Sequence, residues 1–188
     1  MVFDFQMGRG RVGPAAFLQG FRGVLQGDGY EAYDKLGEGI EYAGCLSHAR
    51  RGFVDAAKLA PLDPLPVEVL GRFHQLYEVE RESRAAQHPA AQRLARRQQR
   101  SVALMAALKA RLVAIRQQIM PGTKMAKACD YALGQWSRLE VHLQNGLVDV
   151  GNNWCEGGMA PTGAWPQELA APRECGSRAE SGGHRVAP

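Results

Sequence analysis

VLQGDGYEAYDKLGEGIEYAGCLSHARR, residues 24–51, starts on an apolar run and breaks on Gly27-Asp28-Gly29. The run over residues 24–26 reads as a strand, and the flanking glycines let the backbone turn sharply at Asp28 without a Cβ clash. A short helix carrying Tyr30 and Tyr33 follows, then a second strand near residues 40–45, then His48 at the start of another helix. An aspartate at the carboxyl end of a strand in an open α/β sheet stands where such folds collect their chemistry. Asp-Gly is also an ordinary turn pair, so Asp28 by itself reads first as a turn residue.

Upstream, residues 2–6 alternate apolar and polar, as a half-buried strand does. GRGRVG, residues 8–13, lacks the strand-to-helix setting of a phosphate loop and reads as a plain loop. Pro14 suits the first turn of a short helix whose small apolar face is Phe17, Leu18 and Phe21. Downstream, Pro61, Pro64 and Pro66 redirect the chain, and a helix starts at Val67 with Val69, Leu70, Phe73, Leu76 and Tyr77 on one side. After His88-Pro89, a long helix over residues 90–119 carries Leu104, Met105, Leu108, Leu112, Ile115 and Ile119 at helical spacing. A turn at Pro121-Gly122 leads into a third helix with Met125, Cys129, Ala132, Trp136, Leu139 and Leu143. Short connections predict that these helices pack on one another. Asn145-Gly146 suits a left-handed cap, residues 147–150 are extended, and Asn152 or Asn153 caps a helix bearing Glu156 near its first turn.

The chain has 188 residues and 45% hydrophobic content, enough for one domain with a real core. A net charge of +4 and a pI near 9.0 are compatible with a nucleic-acid partner without requiring one. Arg93, Arg96, Arg97 and Arg100 cluster on the long helix, either to grip a phosphate backbone or as a solvated face. The four cysteines form no Cys-x-x-Cys pair and read as reduced intracellular thiols. Cys45 and His48 have the spacing of half a metal site, but no second pair stands at zinc spacing. A buried cysteine and a hydrogen-bonded histidine is the simpler reading. No apolar run approaches the ~20 residues needed to span a bilayer, and no charged-then-apolar leader opens the chain, so a cytoplasmic protein is expected.

GDGYEAY (residues 27–33), CLSHARR (45–51) and NNWCE (152–156) occur in that order, with a helical stretch before the last. Together they resemble the transposases of insertion sequence family 66, over about residues 1–159. Asp28-Gly29-Tyr30 alone is a weak signal; the ordered set is a strong one. The resemblance implies an Asp-Asp-Glu recombinase on a ribonuclease H-like sheet, acting in DNA cleavage and strand transfer. Asp28 would be the second acid and Glu156 the third, both binding Mg2+ or Mn2+. Cys45, His48, Asn152 and Asn153 would support the site. Arg50, Arg51, Arg93, Arg96, Arg97 and Arg100 would contact DNA, as terminal repeats and target, and a homo-oligomer is possible.

The chain departs from that pattern at both ends. Met1 falls within the family's third strand, and Asp4 does not match the first acid. Without the first two strands, the expected sheet keeps exposed edges. The family continues after its glutamate with Arg, Arg-Pro and an ALGRKNW-like stretch, whereas here Gly157 follows Glu156. One choice of codons for residues 163–177 yields ALGRKNWLHLGSAE when shifted forward by one base. A frameshift is therefore expected to have produced an irregular tail.

The resulting expectation is a helix-dominated α/β protein. A partial ribonuclease H-like core occupies residues 1–47, and a helical insertion of three to four helices residues 48–145. A return segment with the third acid spans 146–158 and an out-of-frame tail 159–188. The chain is expected to be an inactive piece of a transposase that binds metal poorly. The rival expectation is a non-catalytic DNA-binding or helical interaction module.

Overall fold

The computed structural model describes residues 10–34 and 36–151. The expected strand at residues 2–6 lies outside them, as do Asn152, Asn153 and Glu156. After a short helix α1 (Val12–Phe17), strands β1 (Gly23–Gly27) and β2 (Ile40–Gly44) form a two-stranded parallel sheet. The register pairs Gly23 with Ile40 and Gly27 with Gly44. The connection between them holds a single 3-10 turn, Glu31–Tyr33, where a helix is expected. Tyr30, just before it, and Tyr33 meet edge to face at 6.0 Å.

The helices make up the bulk of the molecule. α2 (Leu46–Leu59) buries Leu46, Ala49, Phe53 and Ala56. α3 (Pro64–Ala85) starts three residues earlier than the apolar stripe suggests. Asp63 caps it by accepting from the Leu65 amide at 3.0 Å, and proline in a first turn gives up no intrahelical hydrogen bond. Pro64 and Pro66 therefore open this helix instead of interrupting the chain. α6 (Lys124–Gly134) is capped in turn by the Thr123 hydroxyl, which accepts from Ala126. α2, α3, α6 and α5 (Val102–Gln118) enclose one core, with the Phe53 and Phe73 rings 5.7 Å apart and Met105, Leu108, Leu112 and Ile115 facing inward from α5. Among the described residues, no helix is long and apolar enough to cross a membrane.

Two expected helices are broken. The long one is α4 (Ala90–Arg96), a π-helical turn over Arg97–Ser101, and then α5. The wider turn presents both Arg97 and Ser101 inward. The third helix stops at Gly134 and resumes as α7 (Trp136–Leu139) and a 3-10 turn, Val141–Leu143. Gly146 does not adopt the left-handed conformation expected of a cap. Its requirement is space, since a Cβ there would lie 2.0 Å from the Ala90 carbonyl oxygen.

Candidate active site

Asp28 follows the last residue of β1 and is exposed. Its carboxylate oxygen accepts from the Tyr30 amide at 3.1 Å, which folds the turn around it. The Gly29 amide donates to the Tyr42 hydroxyl at 2.9 Å, and Gly29 itself has φ +93°, a left-handed conformation that favours glycine. From α6, the Tyr131 hydroxyl donates to the Asp28 main-chain carbonyl. Burial first, then the nearby Asp28 charge, pushes the Tyr131 hydroxyl up to about 12, so it stays a protonated donor at neutral pH. Tyr42 is raised too, chiefly by burial, and Arg138 stacks over its ring at 4.8 Å.

Asp28 forms one wall of a shallow groove of about 300 Å³ between the sheet end, α2 and α6. His48 and Asp55 face it from α2, and Lys124, Lys127 and Tyr131 from α6. The helices approach closely at the floor, where a Cβ on Gly52 would lie 3.1 Å from the Ala128 Cβ. Neither lysine has a carboxylate partner among the described residues. Lys124, Lys127 and Tyr131 carry no motif in the sequence, although their three- and four-residue spacing puts them on one helical face. Only the packing of α6 aims that face at Asp28.

Cys45 is buried and immediately precedes α2, with His48 in that helix's first turn. Arg50 and Arg51 are exposed on α2. The four arginines of the expected phosphate grip all meet carboxylates. Arg96 and Arg100 both pair with Glu82, and Arg93 lies 3.6 Å from Asp149. Arg97 corrects the expectation outright: its side chain is 0% exposed and bound to Glu80 at 2.7 Å, so it cannot reach a phosphate in this structure. An apolar stripe cannot reveal that one arginine of a basic run points inward.

Residues 147–151 return to the sheet. The Leu46 amide donates to the Val150 carbonyl at 2.8 Å, and Val148 packs with Ala43, Val141 and Val24. Gly151 ends beside α2, where a Cβ would lie 2.6 Å from the Ser47 hydroxyl and 3.7 Å from Cys45 Sγ. Glu156 is five positions further along the chain. Among the described residues no three His, Cys, Asp or Glu side chains converge as a metal site. Asp28 offers a hard oxygen donor of the kind Mg2+ takes, but the described residues alone do not complete a site.

The comparisons with known proteins agree with the ordered motifs. A family model described as "Transposase IS66 family" matches residues 1–162. Two curated relatives, both from Sinorhizobium fredii (strain NBRC 101917 / NGR234), are uncharacterized proteins. The first, y4jD, is 38% identical over 150 residues, covering 76% of this chain and 29% of its own length. The second, y4qI, is 31% identical over 170 residues, covering 86% of this chain and 31% of its own length. The chain thus spans about three-tenths of the relatives it matches. No solved structure matches it.

Proposed function

The chain belongs to the IS66 family of transposases, and from that membership we propose that it is part of an enzyme that cleaves and joins DNA at phosphodiester bonds. The strand pair bearing Asp28 would be part of a ribonuclease H-like sheet, and residues 48–145 its helical insertion. Asp28 and Glu156 would be two of three acids. With a third carboxylate they would hold Mg2+ or Mn2+, which stabilises the attacking and leaving oxygens of the phosphodiester when bound. The observation that carries this reading is the return of residues 147–151 to the sheet end next to Asp28. On this reading the chain would return to the sheet of the second acid a few positions before the third in sequence.

The substrate path we propose is the groove beside Asp28. Lys124 and Lys127 would take DNA phosphates there, and Arg50 and Arg51 on α2 would extend the positive surface. Arg93, Arg96 and Arg100 would serve mainly to hold protein carboxylates. On this reading the chain would supply two of the three acids, so alone it should not transfer strands. The test is Mg2+-dependent cleavage or joining of terminal-repeat DNA by the purified chain, which is expected to be absent. Measurable activity lost in Asp28→Asn would overturn the inactivity and keep the acid assignment, whereas activity indifferent to that change would overturn both.

We also propose that the tail left the family's reading frame. The family match ends at residue 162, one position before the stretch that gives GRKNW in the shifted frame. The nucleotide sequence tests this directly, and a shifted frame without that stretch would end the idea.

A further inference from the structure

Three tyrosine rings and one guanidinium stand in a row beside the turn that carries Asp28. Arg138 lies over the Tyr42 ring at 4.8 Å, and Tyr42 meets Tyr33 at 6.4 Å. Tyr33 meets Tyr30 at 6.0 Å, with the ring planes at 77°. The inner end of the row is fixed. Arg138 pairs with Asp34 at 2.8 Å, and the Tyr42 hydroxyl accepts from the Gly29 amide at 2.9 Å. At the outer end Tyr30 is 41% exposed. An edge-to-face contact covers at most one face of a ring, so Tyr33 leaves Tyr30 at least one face.

Tyr30 is also fixed relative to Asp28. Its amide donates to the Asp28 carboxylate at 3.1 Å. Both peptide units between them are trans, which puts the two Cα atoms at most about 7 Å apart. That matches two stacked base steps of ~3.4 Å. A ring held by its neighbours loses little freedom when something settles on it, so more of the contact energy reaches affinity.

Inside a duplex each base face is covered by the next base pair, and aromatic side chains stack on bases of unpaired strands. Position favours a base over a protein contact here. The turn opens on the groove that Lys124 and Lys127 face, and those cations would take the phosphates of the same strand.

We propose that Tyr30 is a stacking platform for an unpaired nucleobase, next to the phosphate held at Asp28. The DNA then enters this site with its strands separated. The inference rests on the reading of the Asp28 groove as the DNA path.

The probes are a short single strand carrying the fluorescent base aminopurine, its blunt duplex, and the same duplex with a single-stranded overhang. Each is titrated with the full chain. The parent should bind the single strand and the overhang more tightly than the blunt duplex, and quench the unpaired aminopurine. Tyr30→Leu should weaken single-strand binding about 10-fold and abolish the quenching. Tyr30→Phe should keep both, since a phenyl ring stacks and leucine does not. Blunt-duplex affinity should be equal in all three, which a general loss of fold would not leave unchanged. Equal quenching by Tyr30→Leu and the parent would overturn the proposal. So would binding of the single strand by the parent without quenching, a result that needs no variant to fold. A Tyr30→Leu chain with weaker self-association and unaltered DNA binding would assign the ring to a protein contact and overturn it as well. The underlying reading fails separately. A salt slope indifferent to Lys124→Ala and Lys127→Ala would remove the groove as the DNA path, whatever the quenching at Tyr30.

Discussion

The Gln26 side-chain amide donates to the main-chain carbonyl of Asp149 at 2.5 Å, across 123 positions of sequence. It ties the strand that leads into Asp28 to the segment that precedes Glu156 in sequence. The Leu46 amide, bonded to the Val150 carbonyl at 2.8 Å, makes a second tie one residue later. The returning chain is therefore anchored both on the sheet and on the helix that follows it.

His142 links stability to pH. It is 3% exposed, and burial, the largest cause, depresses its imidazole to about 4 from 6.5. Its Nδ1 lies 2.6 Å from the Leu139 carbonyl, which fits a neutral ring donating from that nitrogen. Between those two values the unfolded chain binds the extra proton and the folded one does not. The contribution is therefore complete above pH 6.5 and is lost as pH falls through 4, about 3 kcal/mol in all. Urea unfolding at stepped pH should show this loss, and His142→Gln should flatten it. An unchanged slope in the variant would contradict the assignment.

Two arginines in ion pairs should behave very differently. Arg97→Met strands Glu80 in the core and should cost about 3–5 kcal/mol. Arg111 also forms a two-pronged pair, with Glu68 at 2.7 and 2.8 Å, and with Arg72 it pulls the Glu68 carboxyl down to about 2. Yet those side chains are 30% and 36% exposed, so solvent screens the pair and Arg111→Ala should cost far less than Arg97→Met, and less still in high salt. Equal costs in denaturant titrations would show that burial is not what separates them.

Gly146→Ala tests the close approach of the return segment to α4. The added methyl would meet the Ala90 carbonyl oxygen at 2.0 Å and its carbon at 2.7 Å. Backbone on both sides cannot rotate aside, so a loss of at least ~1–3 kcal/mol is expected. A midpoint within error of the parent would mean that the segment can shift freely.

Lys124→Ala and Lys127→Ala test the proposed DNA path. Each should weaken duplex binding and lower the slope of log affinity against log salt by ~0.9 per lost phosphate contact. Arg100→Ala, whose partner is Glu82, should change the slope little. The reverse ranking in salt titrations would return the phosphate contacts to the long helix.

Much of this architecture was legible along the chain. The stripe Met105, Leu108, Leu112 and Ile115 is buried where its spacing puts it, because helical period and side-chain chemistry are local properties. β1 and β2 were likewise marked by short apolar runs between glycines. Local pattern could not show the π-helical turn, the break at Gln135, or the inward turn of Arg97. Each depends on what stands opposite: Glu80 seventeen residues away, and the carbonyls of a segment forty-five or more residues away. The motif order alone was enough to place the chain in its family. That Lys124, Lys127 and Tyr131 share a groove with Asp28, and that a buried guanidinium gathers three carbonyls of the return segment, was decided by tertiary packing. Distances between residues far apart in sequence are set by which buried polar groups must find each other, and no local period encodes that.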